Sequence, residues 1–68
     1  MKAVSGKQMC KILERNGWCL DRINSSHHIY KKIGHAAAIS VPVHANKTLK
    51  TGLQRGIMKQ AGLTEDDL

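Results

Sequence analysis

The chain has 68 residues, too few for a second core, so a single domain over residues 1–68 is expected. Lys and Arg number 11 against 5 Asp and Glu, a formal net charge of +6. Three of the acids are Glu65, Asp66 and Asp67, so residues 1–64 set 11 bases against only Glu14 and Asp21, a balance of +9. That balance favours nucleic acid or an acidic protein as partner, although a lysine-rich solvated surface gives the same count. No apolar run approaches the roughly 18 residues that span a bilayer, and no secretory apolar stretch follows Met1. No membrane association and a cytoplasmic location are therefore expected. Cys10 and Cys19 fit no zinc-ligand spacing and read as buried or half-buried thiols kept reduced.

Ser5 opens a first helix. Gln8 stands three residues on, as in a capping box, and Val4 can staple against Met9. Met9, Ile12 and Leu13 form an apolar stripe, with Lys7, Lys11, Glu14 and Arg15 on the wet side. Gly17 ends the helix. Trp18–Ile23 reads as a first strand with Trp18 and Leu20 on one face, and Asn24-Ser25-Ser26 is turn chemistry. His28–Ile33 reads as a second strand, Gly34-His35 as a turn, and the alternation Ala37, Ile39, Val41, Val43 as a third strand. Pro42 confines that third strand to an edge. His44–Lys50 is a polar connector. A last helix runs from about Thr51 to Ala61, with Thr51 and Gln54 as a second capping box and Leu53, Ile57 and Ala61 as its stripe. Gly62 closes it, and Thr64–Asp67 can cap one further turn. The fold class expected is α+β, in the order α-β-β-β-α. Two helices cover one face of a three-stranded antiparallel sheet, and the other face is left open to a partner.

The chemistry centres on Ser26-His27-His28-Ile29-Tyr30. Imidazole is the one side chain whose ordinary pKa suits proton transfer near neutrality. Set in a positive field, it points to chemistry on a polyanion, with RNA the leading candidate. Cleaving RNA without a metal needs a base for the 2′-hydroxyl, an acid for the departing 5′-oxygen, and cations for the charge that builds on phosphorus. Strand parity puts His27 with Ile29 and Ile33, and His28 with Tyr30, which favours His28 as the exposed neighbour. Because His27 directly follows a turn, parity has little force there. Adjacent strand histidines point to opposite faces and no carboxylate lies near them, so no metal site is expected. His35 reads as a solvated turn residue, and His44 as the cap of the third strand. Lys47, Lys50, Arg55 and Lys59 gather around the start of the last helix, where they can hold phosphates with its free N–H groups or simply be solvated. With one Trp and one Tyr, a base-stacking platform is thin, and weak sequence preference follows.

Ser26-His27-His28-Ile29-Tyr30, Val41-Pro42-Val43-His44, Leu49-Lys50 with Gly52, and Ile57 with Lys59-Gln60-Ala61-Gly62-Leu63 occur in an order and spacing that resemble the HicA toxins of bacterial HicAB toxin–antitoxin systems. The resemblance runs from the first helix to Leu63. It implies a double-stranded-RNA-binding-domain-like fold, metal-independent endoribonuclease (mRNA interferase) activity without a cofactor, and inhibition by a HicB-like antitoxin in a complex that can be of higher order. The family's catalytic histidine follows a Gly-Ser pair at the start of the second strand, a position held here by His27, with Ser26 orienting it. Ser25 stands where the Gly is usual, and Thr51 where a Pro is often seen. In-line attack needs a flexible strand, so single-stranded mRNA is the expected substrate. Lys47, Lys50, Arg55, Lys59, His28 and Tyr30 are the expected RNA contacts. His28, Tyr30, His44 and a lysine stay open as the second proton-transfer group. An RNA-binding module without catalysis, and an interaction protein held by an antitoxin, are the rival readings.

Overall fold

The computed structural model describes all of residues 1–68. The elements are α1 (Gly6–Arg15), β1 (Cys19–Asn24), β2 (His27–Lys31), β3 (Ile39–Pro42) and α2 (Thr51–Ala61), followed by a 3₁₀ turn at Glu65–Asp67. The strands form one antiparallel sheet in the order β1-β2-β3, so Pro42 lies on an edge strand as its missing N–H requires. No helix is long and apolar enough to cross a membrane.

α1 begins as its sequence dictates. The Ser5 hydroxyl accepts from the Gln8 N–H at 3.1 Å, and the Gln8 side chain accepts from the Ser5 N–H at 2.9 Å. It ends on Gly17, whose φ of 88° lets the Trp18 N–H reach the Leu13 carbonyl and the Gly17 N–H reach that of Glu14. Met9, Ile12 and Leu13 enter the core together with Trp18, Tyr30, Ile39, Val41, Leu49, Ile57 and Met58. Val4 is buried there as well, and its carbonyl accepts from the Leu49 N–H at 2.9 Å. Gly6 lies against β3 so closely that a Cβ would fall inside the Pro42 carbonyl oxygen and 3.0 Å from its carbon. That contact seats the start of α1 directly behind the end of β3.

The structure corrects several expectations. β2 stops at Lys31 rather than Ile33, because Gly34, with a φ of 87°, turns the chain and closes a hydrogen bond from the His35 N–H to the Lys32 carbonyl. Ile33 is left fully in solvent. β3 covers only Ile39–Pro42, and Ala37 is exposed. Thr51 and Gln54 form no capping box. Lys50 is the N-cap of α2 and makes no side-chain bond there. Gln54 is instead buried, accepting from the Val4 N–H at 3.1 Å and donating to the Lys2 carbonyl at 2.7 Å. This rotates α2 so that Gln54, Ile57 and Met58 face inward, while Leu53 is 41% exposed. Leu20 and Ile23 pair with Tyr30 and His28 on the helix-side face but are 44% and 55% exposed, because the helices pack mainly over β3 and reach little of β1. Cys19 is exposed and Cys10 buried.

Candidate active site

β1 and β2 are joined by the two-residue turn Ser25-Ser26. Ser25 has a φ of 57°, the left-handed region where a side chain costs about 1–2 kcal/mol. A positive φ at the first of two central residues, and not at the second, is the sign pattern of a type II′ hairpin turn, whose first position favours glycine. Ser25 therefore adopts a backbone for which glycine would be the unstrained choice.

His27 is the first residue after this turn. It lies opposite Asn24 on β1 and Pro42 on β3 and is exposed. The ladder continues one step past it, with the Val43 N–H donating to the Ser26 carbonyl at 2.8 Å. Ser26 is thus fixed through its backbone.

Which face His27 occupies is settled by Tyr30. Tyr30 pairs with Ile39, and His28 with Val41; Tyr30, Ile39 and Val41 are all buried in the core. His28 and Tyr30 therefore share the helix side, while His27, Ile29 and Lys31 lie on the open side with Arg22, Asn24, Ser40 and Pro42. Strand parity holds, with His27 beside Ile29 and His28 beside Tyr30, but the exposure expected from it is reversed: His27 is the exposed neighbour and His28 is half-buried. Hydropathy pointed the wrong way because isoleucine outranks tyrosine, whereas Tyr30 has a partner that makes its burial tolerable. Its hydroxyl donates to Glu14 Oε2 at 2.7 Å. With 1% of its surface exposed, Tyr30 has no ring face to offer RNA. Burial, then the bond to Glu14, pushes its phenol well above the usual tyrosine range. Burial likewise raises the neighbouring Cys10 thiol.

The expected phosphate cations divide into two groups. Lys47 and Lys50 line a cleft of about 340 Å³ together with Pro42, His44, Thr48, Leu49 and Leu53. Arg55 and Lys59 are exposed on α2, but Arg55 lies about 200° around the helix from Leu53, away from this cleft. The three ion pairs of the structure involve the Met1 amino group with Glu65, and Arg22 and Lys31 with Asp21. All four cations near α2 are thus left without an acidic partner. His35 is exposed after the Gly34 turn, as expected, and its ring lies 5.0 Å from that of Trp18, tilted by 56°, at the opposite end of β2 from His27. No three His, Cys, Asp or Glu side chains gather into a group able to hold a metal ion.

Sequence reasoning missed Gly6, Gln54 and the cleft. Only the juxtaposition of Ser5-Gly6 with an N-cap hinted at the first. The other two depend on how α2 is rotated.

The α-β-β-β-α order, with two helices against one face of a three-stranded antiparallel sheet, defines a small α+β domain of the double-stranded-RNA-binding type. His27 is exposed at the β1–β2 hairpin and pairs with Pro42, which lines the cleft of Lys47 and Lys50. The family model for the HicA toxin of bacterial toxin–antitoxin systems matches residues 6–63, and the chain belongs to that family. No curated protein matches it.

Proposed function

We propose that this toxin is a metal-independent endoribonuclease that cleaves single-stranded mRNA, and that His27 is its catalytic group. The observation that carries the reading is the placement of His27. It is an exposed imidazole on the open sheet face, held by a strained two-residue turn and paired across the ladder with Pro42, which lines the Lys47–Lys50 cleft. His27 removes the 2′-hydroxyl proton, and O2′ attacks the adjacent phosphorus. Lys47 and Lys50 stabilise the charge that grows on the non-bridging oxygens. The first N–H groups of α2, uncapped by any side chain, supply further positive potential for a phosphate. Ser26 holds the imidazole in place through the backbone bond to Val43. Arg55 and Lys59 attract the strand at longer range.

Ser25 is compatible with this geometry, since it takes the positive φ of the turn without a glycine. A HicB-like antitoxin of acidic surface, covering His27 and the cleft, is the proposed inhibitor. Its neutralisation of the unpaired lysines supplies the attraction.

The test is cleavage of a single-stranded RNA in chelator by the wild type and by His27→Ala, with induced expression of both in a bacterial host. The expected result is new 5′ ends and growth arrest with the wild type only. Equal cleavage by the two removes His27 from the mechanism. Salt-sensitive binding with no cleavage by either identifies a binding module instead.

A further inference from the structure

The base needs an acid. Resting on the reading of His27 as the base, we propose that His44 is the general acid that protonates the departing 5′-oxygen.

Four observations point there. First, the tyrosine and the other histidines fall away by position, and Lys47 and Lys50 are taken up as the cations that hold the phosphate. Tyr30 is buried with its hydroxyl on Glu14. His28 is half-buried on the helix side opposite Val41. His35 lies against Trp18 at the far end of the sheet, its ring tilted by 56°. Second, one hydrogen bond ties the two remaining histidines together. The Val43 N–H donates to the Ser26 carbonyl; His27 is the residue after Ser26, and His44 the residue after Val43. The register of β2 and β3 makes them diagonal neighbours across the ladder, a relation that sets residues about 7–8 Å apart. Val43 packs against the core, so alternation turns Pro42 and His44 to the other side, which is the side of His27. Third, His44 lines the same cleft as Lys47 and Lys50, where a bound phosphate would have its charge neutralised. Fourth, only two non-glycine residues of the molecule have a positive φ, Ser25 at 57° and Ala45 at 52°. Ser25 opens the turn two residues before His27, and Ala45 directly follows His44. Strain of this kind gathers where side chains must be aimed, and the Ala45 turn is closed by the Lys47 N–H on the His44 carbonyl at 3.0 Å.

The step balances without a further reactant. The 2′-hydroxyl proton passes to His27 and the O2′–P bond forms. The P–O5′ bond breaks, its electron pair leaves on O5′, and the proton of cationic His44 moves to that oxygen. The products are a 2′,3′-cyclic phosphate and a 5′-hydroxyl. In-line displacement places the entering and leaving oxygens on opposite sides of phosphorus, so the base and the acid must approach from two directions, as two strands separated by one ladder step allow.

The experiment uses the purified full chain and two substrates with the same 3′-phosphodiester. One has a ribose 5′-oxygen as leaving group. The other has p-nitrophenolate, which departs without being protonated. His44→Ala and His44→Gln are expected to lose about 10²–10⁴-fold in kcat on the ribose ester and less than tenfold on the nitrophenyl ester. His27→Ala is expected to lose activity on both. His44 is exposed, so melting temperatures should stay at the wild-type value. An equal loss on both esters assigns His44 to binding and overturns the proposal, as does no loss on the ribose ester. Undiminished cleavage by His27→Ala overturns the underlying reading, and the role of His44 falls with it.

Discussion

His27 and Tyr30 stand three residues apart on one short strand and have opposite fates. His27 follows a strained turn and is exposed on the open face. Tyr30 is sealed beneath α1, its hydroxyl tied to Glu14. Both belong to the same run of residues that the sequence marks as chemical. The pleat separates them, giving one to solvent and the other to the core. In a small domain the same strand must anchor the fold and present the reactive group, and the period of two lets it do both.

Substitutions that should hit one role and spare the other probe that division most sharply. His27→Ala should reduce RNA cleavage by about 10²–10⁴-fold, equivalent to about 3–5 kcal/mol of barrier, with no change in melting temperature. A parallel loss of stability would show that the two ends of β2 are not separable. Gly6→Ala should come next. Its methyl group would collide with the Pro42 carbonyl, which lies opposite His27, so α1 or β3 must shift. Overpacking of this kind costs about 1–3 kcal/mol, or about 4–8 °C in melting temperature per kcal/mol for a domain of this size. Cleavage should fall too, because the strand bearing Pro42 moves. Tyr30→Phe should show the reverse pattern: a stability loss of about 1 kcal/mol from the missing bond to Glu14, with cleavage per folded molecule unchanged. Ser25→Gly should relieve about 1–2 kcal/mol of left-handed strain, against about 0.5–1 kcal/mol for the added freedom of glycine in the unfolded chain. A small net rise in melting temperature is expected, read by thermal unfolding.

Alkaline pH gives the mildest test. Burial raises the Tyr30 phenol above its usual 10.0 and the Cys10 thiol above its usual 9.0. Well below pH 9 both groups are protonated in the folded and unfolded chains, and their contribution to stability is constant. Above those values the unfolded chain releases protons that the folded chain retains, so stability must fall as pH rises. Denaturant unfolding followed from pH 8 to pH 11 should show that decline, and Tyr30→Phe should make it shallower.

The element order was legible because α1, β3 and α2 carry clean periodic signals, and the Ser5–Gln8 box was written in the sequence as it appears in space. What escaped was decided by distant partners. The inner face of β2 depends on Glu14, 16 residues away from Tyr30, and no local pattern announces that bond. The rotation of α2 depends on Gln54 satisfying Val4 and Lys2 across about 50 residues of chain. That rotation in turn divides the four expected cations between the cleft and the outer surface of the helix. That His27 directly follows a turn at the start of β2 was readable from its neighbours in sequence, but its exposure was not. Nor was the cleft beside it, because it exists only once the connector after β3 is folded against the start of α2.

One feature of the fold bears on handling and on life in a crowded cell. β1 is an open sheet edge with Leu20 and Ile23 uncovered on its inner side, and its pairing with β2 is interrupted by a bulge between Leu20 and Arg22. The bulge bends that rim, and the ion-paired charges of Asp21 and Arg22 sit at the bend. Together they guard against insoluble ribbons, which grow when flat, greasy strands from neighbouring copies stack rim to rim.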